Sequence, residues 1–284
     1  MQDRYVGDIG DYVKLAILRE LSPGRRLGVA WWRFPDSGAS GDGRHISYLS
    51  SSAKWRHLDP HVFDTLKVLV TSGPRKIEAL ESANLLADAV YSSELLPTSG
   101  KPHQQRAQRE AWFTRCQAQL ANCDLVFLDP DNGLETTRFS FGAIRAGKSV
   151  SLAELSALRP PGRTLVVYHH QTRRRGGHDA EISHWAARLR DQGFGRVDVL
   201  RASPFSPRAF FLLDATDEIR GHAETLAKRW SGMIVWYPNC IHPEPGGTVG
   251  DLEFTTPGQM ADHAEKARKD GDLQAVPAFC PNVP

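Results

Sequence analysis

The sequence has few cysteines, and their spacing excludes the usual roles of clustered cysteines. The four cysteines among 284 residues are Cys116, Cys123, Cys240 and Cys280, and no two of them have the CxxC spacing of zinc sites or redox motifs. A disulfide framework is not indicated either, because such frameworks are typical of short, cysteine-dense secreted chains. We therefore expect buried or incidental thiols.

The chain also lacks a long apolar run. No stretch approaches the roughly 18 apolar residues that a membrane-spanning helix needs, and residues 1–12 lack the basic-then-apolar order of a secretion signal. With 40% hydrophobic and 24% charged residues, the composition is that of an ordinary globular protein. These features lead us to expect a cytoplasmic protein with no membrane partner.

Charge of either sign is not in large excess, so the net charge of +2 says little about partners. Local charge is more informative, since residues 101–109 and 169–178 are both basic. Basic clusters of this kind can contact phosphates, although many are simply solvated loops.

Apolar periodicity predicts helices and strands that alternate along most of the chain. The opening segment has apolar Val13, Ala16, Ile17 and Leu21 at helical spacing. Further helices are predicted over 59–70, 75–86, 104–123, 151–158, 179–193 and 218–230. Strands are predicted over 28–32, 89–91, 125–128, 164–170, 196–202, 208–215 and 232–238.

This alternation predicts an α/β fold with a doubly wound, mostly parallel sheet of the Rossmann-like kind. The central strands are continuously apolar, as expected when both faces of a sheet are covered. We expect segments 208–215 and 232–238 to pair as an antiparallel edge. The predicted α/β domain covers residues 1–245, and residues 246–284, rich in proline, glycine and charge, form a predicted C-terminal extension.

Polar residues that follow the parallel strands should meet in one crevice, because ligands bind at the carboxyl ends of such strands. Pro35 and Asp36 follow the first strand. Asp129, Asp131 and Asn132 follow the central strand, and His169 and His170 end the next one. The sequence therefore predicts a binding site that contains these residues.

The stretch DLVFLDPDNGLE concentrates acids immediately after a buried strand. Asp129, Asp131 and Glu135 lie within seven positions. The segment could be a tight turn, since Asp, Pro, Asn and Gly are turn formers. The three carboxylates could instead hold a magnesium ion, or Asp129 and Asn132 could orient an amino group by accepting its hydrogen bonds.

The histidine pair and the basic loop behind it form a second candidate. Side chains of His169 and His170 should point to opposite faces of their strand, so that one reaches the crevice. That histidine could act as a general base, a metal ligand or a phosphate contact, or both could be structural. Arg173, Arg174 and Arg175 follow directly, and guanidinium groups suit phosphate oxygens.

Two motifs resemble a known family. LDPDN at a strand end resembles the Asp-Pro-Pro-Tyr motif of class I S-adenosylmethionine-dependent methyltransferases that act on adenine N6. VGDIGDYVKLAILREL resembles the Gly-Asn-x-Ala-Asp-x-x-Lys-His segment that opens ribosomal RNA large-subunit adenine-N6 methyltransferases. The resemblance implies that Asp129 and Asn132 position the acceptor amine of a flipped base.

The same resemblance implies a cofactor site. Gly7, Asp8, Asp11 and Lys14 fall on the matching positions of the opening segment and would bind S-adenosylmethionine, and Asp59 would hold its ribose. Asp131 and Asn132 stand where the family has Pro-Tyr, so a stacking ring would come from Tyr168, Phe139 or Trp236.

Three functions follow from these observations. The first is methyl transfer to an amine of a nucleic acid or nucleotide, with S-adenosylmethionine as cofactor and Arg173, Arg174 and Arg175 binding phosphate. The second is a metal-dependent nuclease or phosphohydrolase in which Asp129, Asp131 and Glu135 hold Mg²⁺. The third is a non-catalytic nucleic-acid-binding module.

Overall fold

The computed structural model describes residues 1–35, 43–136, 139–172 and 174–240. The predicted C-terminal extension, 246–284, lies outside these described residues. Within them, no helix combines the length and apolar character that crossing a membrane requires.

Helices and strands alternate as the sequence predicts. The strands are β1 (Leu27–Ala30), β2 (Val90–Ser92), β3 (Leu125–Leu128), β4 (Gly133–Leu134), β5 (Ser149–Val150), β6 (Thr164–His170), β7 (Val197–Ala202), β8 (Arg208–Leu213) and β9 (Ile234–Tyr237). The helices are α1 (Ile9–Leu21), α2 (Ser52–Trp55), α3 (Pro60–Ser72), α4 (Ile77–Ser82), α5 (Pro102–Gln119), α6 (Leu152–Ala157), α7 (Gly177–Asp191) and α8 (Asp217–Arg229).

A seven-stranded sheet in the order β2-β1-β3-β6-β8-β7-β9 forms the centre of the fold. Strands β2, β1, β3 and β6 are mutually parallel, β8 is antiparallel to both β6 and β7, and β9 is antiparallel to β7. The prediction of an α/β fold with a mostly parallel sheet and antiparallel strands toward one edge is confirmed.

The predicted antiparallel pair between 208–215 and 232–238 is wrong. Strand β8 is bonded along its whole length to β6 on one side and to β7 on the other. Because both edges of β8 are occupied, β9 pairs with β7 and becomes the edge strand.

Successive strand residues enter two separate apolar clusters, which explains why the strands are continuously apolar. Val29, Phe127 and Val166 belong to one cluster, which also contains buried residues of α1, α3 and α8. Val126 and Val167 belong to the other, together with buried residues of α5, α6 and α7. Burial on both faces holds the strands rigidly, so the residues at their carboxyl ends have fixed positions.

Candidate functional site

A cavity of about 490 Å³ lies at the carboxyl ends of β3 and β6, beside the start of α1. It is lined by eight of the residues that the sequence predicts for the site: Asp8, Asp11, Lys14, Asp129, Asp131, Asn132, Tyr168 and His170. The opening segment and the acidic turn after β3 therefore share one hollow.

A buried ion cluster joins these two segments. Lys14 Nζ lies 2.7 Å from Asp129 Oδ2 and 3.0 Å from Asp11 Oδ1, and all three side chains are buried. The ammonium also faces the ring of Tyr168, with 5.8 Å from Nζ to the ring centroid. Lys14 thus holds one oxygen of Asp129 in place at the cavity wall.

Burial and neighbouring charge shift two groups of this cluster. Burial raises the pKa of Asp11 to about 6; the Lys14 ammonium opposes this shift, and the carboxylates of Asp8 and Asp129 add to it. Burial alone would lower the pKa of Lys14, but Asp11 and Asp129 outweigh that effect and raise it above its ordinary value. Lys14 is therefore a charged ammonium at neutral pH.

The start of α1 brings Asp8 and Asp11 to the cavity. Asp8 caps the helix by accepting a hydrogen bond from the Asp11 backbone N–H at 3.1 Å. Gly7 has a φ of +78°, and a Cβ there would lie 2.4 Å from Cγ2 of Val70. Glycine is thus required at position 7, which supports the helix start rather than lining the cavity itself.

The acidic turn after β3 is tied to the first residues of the chain. The α-amine of Met1 lies 2.9 Å from Asp131 Oδ1 and donates to the Asp129 carbonyl at 2.9 Å. Gln2 Nε2 donates to Asp131 Oδ2 at 2.6 Å. Burial opposes ionisation of Asp131, but the amine and Lys148 outweigh it and hold the pKa of Asp131 below its ordinary value. Asn132 is exposed at the cavity.

The two histidines of β6 have different surroundings. His170 lines the cavity with Tyr168, two residues before it. His169 is buried outside the cavity: its Nδ1 accepts from the Leu134 backbone N–H at 3.2 Å, so its Nε2 carries the proton and faces Glu181 Oε1 at 3.2 Å. His169 therefore supports the acidic turn and does not line the cavity.

Glu181 completes this support. Burial raises the pKa of Glu181, but hydrogen bonds from His169 and Thr172 outweigh it and lower the value to about 2. The carboxylate accepts from the Thr172 backbone N–H at 2.8 Å, which also fixes the chain directly after β6.

The three carboxylates of the predicted magnesium site are not brought together. Glu135 accepts from the Leu152 backbone N–H at 3.1 Å and faces Arg188 at 3.4 Å. Asp129 and Asp131 are engaged by Lys14 and by the Met1 amine, as described above. Across the described residues, no group of three or more His, Cys, Asp or Glu side chains has a metal-binding arrangement.

Several predicted residues lie away from the cavity. Asp59 caps α3 by accepting from the Val62 N–H at 3.1 Å, and it pairs with Arg19 of α1 at 3.2 Å. Both oxygens of its carboxylate are therefore engaged by these two groups. Pro35 does not line the cavity, and Asp36 and Arg173 lie outside the described residues.

Two arginines that follow β6, Arg174 and Arg175, also lie away from the cavity. Arg174 Nη2 lies 3.2 Å from His184 Nδ1 on α7, so this side chain runs back along the helix. Arg175 is exposed and does not line the cavity. Of the three arginines that the sequence favours for phosphate, the two that the structure describes, Arg174 and Arg175, therefore do not line this site.

The sequence does not indicate three residues of the lining that have basic side chains: Arg44, His45 and Arg208. Arg208 is buried and donates to the carbonyls of Pro204 and Ser206 at 2.8 and 2.9 Å. A Cβ at Gly10 would lie 2.9 Å from Asp8 Oδ1 and 3.3 Å from Arg208 Nε, so both side chains approach this glycine closely. Only Arg208 has a signal in the sequence, because it is a charged residue at the start of the otherwise apolar strand β8.

The cavity thus combines carboxylates, cations and an aromatic ring within one hollow of ligand size. Comparisons with protein-family models, with curated proteins and with solved structures gave no match to this chain.

Proposed function

We propose that this chain is an S-adenosylmethionine-dependent methyltransferase-like enzyme that acts on an amine of a nucleic acid or nucleotide, on a doubly wound Rossmann-like sheet. One observation carries the proposal. The two segments that resemble the methyltransferase family meet in one cavity, where Lys14 Nζ lies 2.7 Å from Asp129 Oδ2.

The residues of the cavity fit the cofactor in size and charge. A hollow of about 490 Å³ is within the range of small-molecule sites. S-adenosylmethionine has a carboxylate, an ammonium and ribose hydroxyls. Arg44 and Arg208 suit the carboxylate, while Asp8 suits the ammonium or the hydroxyls. The cofactor would supply the methyl group.

Asp129 and Asn132 would position the acceptor amine. Lys14 holds Asp129 Oδ2, so the other carboxylate oxygen is the proposed acceptor for an amine hydrogen. The Asn132 side chain is exposed at the same cavity and offers a second acceptor. Alignment of the amine with the methyl group is the main requirement of such a transfer, so fixed hydrogen-bond acceptors suffice. Tyr168 supplies the stacking face that the Pro-Tyr of the family would otherwise provide.

The two other functions have less geometric support. A magnesium-dependent nuclease would need Glu135 beside Asp129 and Asp131, and Glu135 instead contacts Leu152 and Arg188. A non-catalytic binding module is compatible with the same cavity, so it is separated from the enzyme by measuring turnover.

Transfer of a radiolabelled methyl group to adenine-containing RNA and DNA oligonucleotides tests the proposal. We expect transfer by the wild type and a loss of at least about 100-fold with Asp129→Asn, because a neutral amide accepts more weakly than the carboxylate and loses the ion pair with Lys14 that holds it in place. Glu135→Gln is the matched acidic control and should retain transfer. Transfer that survives Asp129→Asn, or is absent from the wild type with every nucleic acid tried, would refute the proposal.

A further inference from the structure

A second cavity of about 470 Å³ lies next to the first. The segment 204–208 separates the two cavities. Ser206 and Arg208 line the first cavity, while Pro204 and Phe205 line the second. The His45 ring, on the first side, lies 5.1 Å from the Phe205 ring, on the second. These two rings therefore lie at the boundary between the two cavities.

Phe205 has two features that packing does not explain. Its side chain is 53% exposed, and its φ of +62° is in the left-handed region that residues other than glycine seldom adopt. Both the exposure of the ring and the positive φ are energetically unfavourable for a phenylalanine when no ligand is bound. Strained, exposed residues of this kind cluster at binding sites, where the strain presents a side chain to a ligand.

The charge of the second cavity favours an anionic ligand. None of the described residues that line it is acidic, and Lys54 supplies a cation. Serine hydroxyls of Ser47, Ser51 and Ser203 add hydrogen-bonding groups. On the side of the first cavity, Arg44 is exposed next to His45 and offers a second cation.

We propose that the second cavity binds the nucleotide adjacent to the target in a single-stranded polynucleotide, with its base stacked on Phe205 and its phosphates near Lys54 and Arg44. Aromatic side chains beside cationic groups are the usual platform for single strands, because every base has a face that can stack. This inference rests on the proposed function, since it takes the target base to occupy the first cavity. It makes the substrate a polynucleotide rather than a free nucleotide.

Fluorescence anisotropy with short labelled single-stranded oligonucleotides, with adenosine monophosphate as a competitor, tests this inference. We expect Phe205→Ala to weaken oligonucleotide binding about 5- to 100-fold and to leave competition by the mononucleotide unchanged. Phe205→Trp keeps a stacking face and should retain binding. Val68→Ala, at an apolar residue that is 60% exposed on α3, is the matched control.

The salt dependence of binding tests the role of Lys54. Removing one phosphate contact to a single strand should reduce the slope of log affinity against log salt by about 0.7. Lys54→Ala should show this change, whereas Lys67→Ala, an exposed lysine on α3, should not.

Two results would overturn the inference: oligonucleotide affinity that is the same in Phe205→Ala as in the wild type, or a loss that is equal for the mononucleotide. Its failure is distinguishable from that of the proposed function. If no methyl group is transferred but oligonucleotide binding still depends on Phe205, the methyltransferase proposal fails and the nucleotide site stands. If transfer occurs and Phe205 has no effect, the second site fails alone.

Discussion

Lys14 and Asp129 are 115 positions apart in the chain, yet Lys14 Nζ and Asp129 Oδ2 are 2.7 Å apart. The contact joins the first helix to the end of the third strand of the sheet. It also places a buried ammonium between two buried carboxylates, Asp11 and Asp129. The stability of the fold and the geometry of the proposed site therefore depend on the same ion cluster.

Replacing Lys14 should be strongly destabilising. Lys14→Met leaves Asp11 and Asp129 buried without a countercharge, and removing one partner of a buried pair costs about 3–5 kcal/mol. Urea unfolding measures this loss. Lys67→Met, at an exposed position, should change the free energy of unfolding by less than about 0.5 kcal/mol. A Lys14→Met protein as stable as the wild type would show that the cluster is not formed.

Asp11 should make the protein more stable at mildly acidic pH. Its pKa is about 6 in the folded protein, above the ordinary 3.8, so the folded state binds a proton before the unfolded state does. The Asp11 contribution to the free energy of unfolding should therefore rise as pH falls from above 6 toward 4. Comparing urea unfolding of the wild type and Asp11→Asn across this range isolates the contribution. An identical pH dependence in both proteins would contradict it.

Glu181 should have the opposite effect at lower pH. Its pKa is about 2 when folded and 4.5 ordinarily, so the stability that it contributes is present above 4.5 and is lost as pH falls toward 2. Glu181→Gln should lack this loss, which acid unfolding of the two proteins measures. Histidine chemical shifts should also change at His169 in the variant, because the partner of its Nε2 changes from a charged carboxylate to a neutral amide.

Gly7 offers a test of how the start of α1 packs. Gly7→Ala combines a positive φ with a clash against Val70, and we expect a loss of about 2–4 kcal/mol. Gly24→Ala is the matched control, since its φ is +69° and a Cβ there meets nothing within 4 Å. It should lose only about 1–2 kcal/mol. Adding Val70→Ala to Gly7→Ala should recover part of the extra loss of stability relative to Gly24→Ala. If no stability is recovered, the added methyl group does not clash with Val70.

The core strands could be predicted from sequence because local patterns define them. The run 125–128 is apolar and ends in turn formers, and the structure gives the strand Leu125–Leu128. The run 164–170 likewise gives Thr164–His170. Burial on both faces produces such runs, so the signal lies in the chain itself.

The order of strands at the antiparallel edge could not be predicted in the same way. Pairing partners are decided by contacts between distant segments, and the pattern of 232–238 suits an edge beside either β7 or β8. For the same reason, nothing in the sequence indicated that Glu135 would turn to Arg188, or that Asp59 would be used by Arg19.

The candidate site was predicted where a strand end or a motif marked it, as for Asp129 and Tyr168. Arg44 and His45 follow a glycine-rich stretch of sequence without periodicity, so no pattern indicates where their side chains point. The partner of the Asp131 side chain is the main-chain amine of Met1, and no pattern of side chains in the sequence indicates such a partner.

Binding of S-adenosylmethionine measured by isothermal titration calorimetry tests the central claim most directly, with two matched variants. Asp8 and Asp59 both cap helices, and asparagine caps equally well, so neither Asp8→Asn nor Asp59→Asn should disturb the fold. We expect the wild type to bind, Asp8→Asn to bind at least about tenfold more weakly, and Asp59→Asn to bind like the wild type. No binding to the wild type at millimolar cofactor, or an equal loss in both variants, would contradict the account.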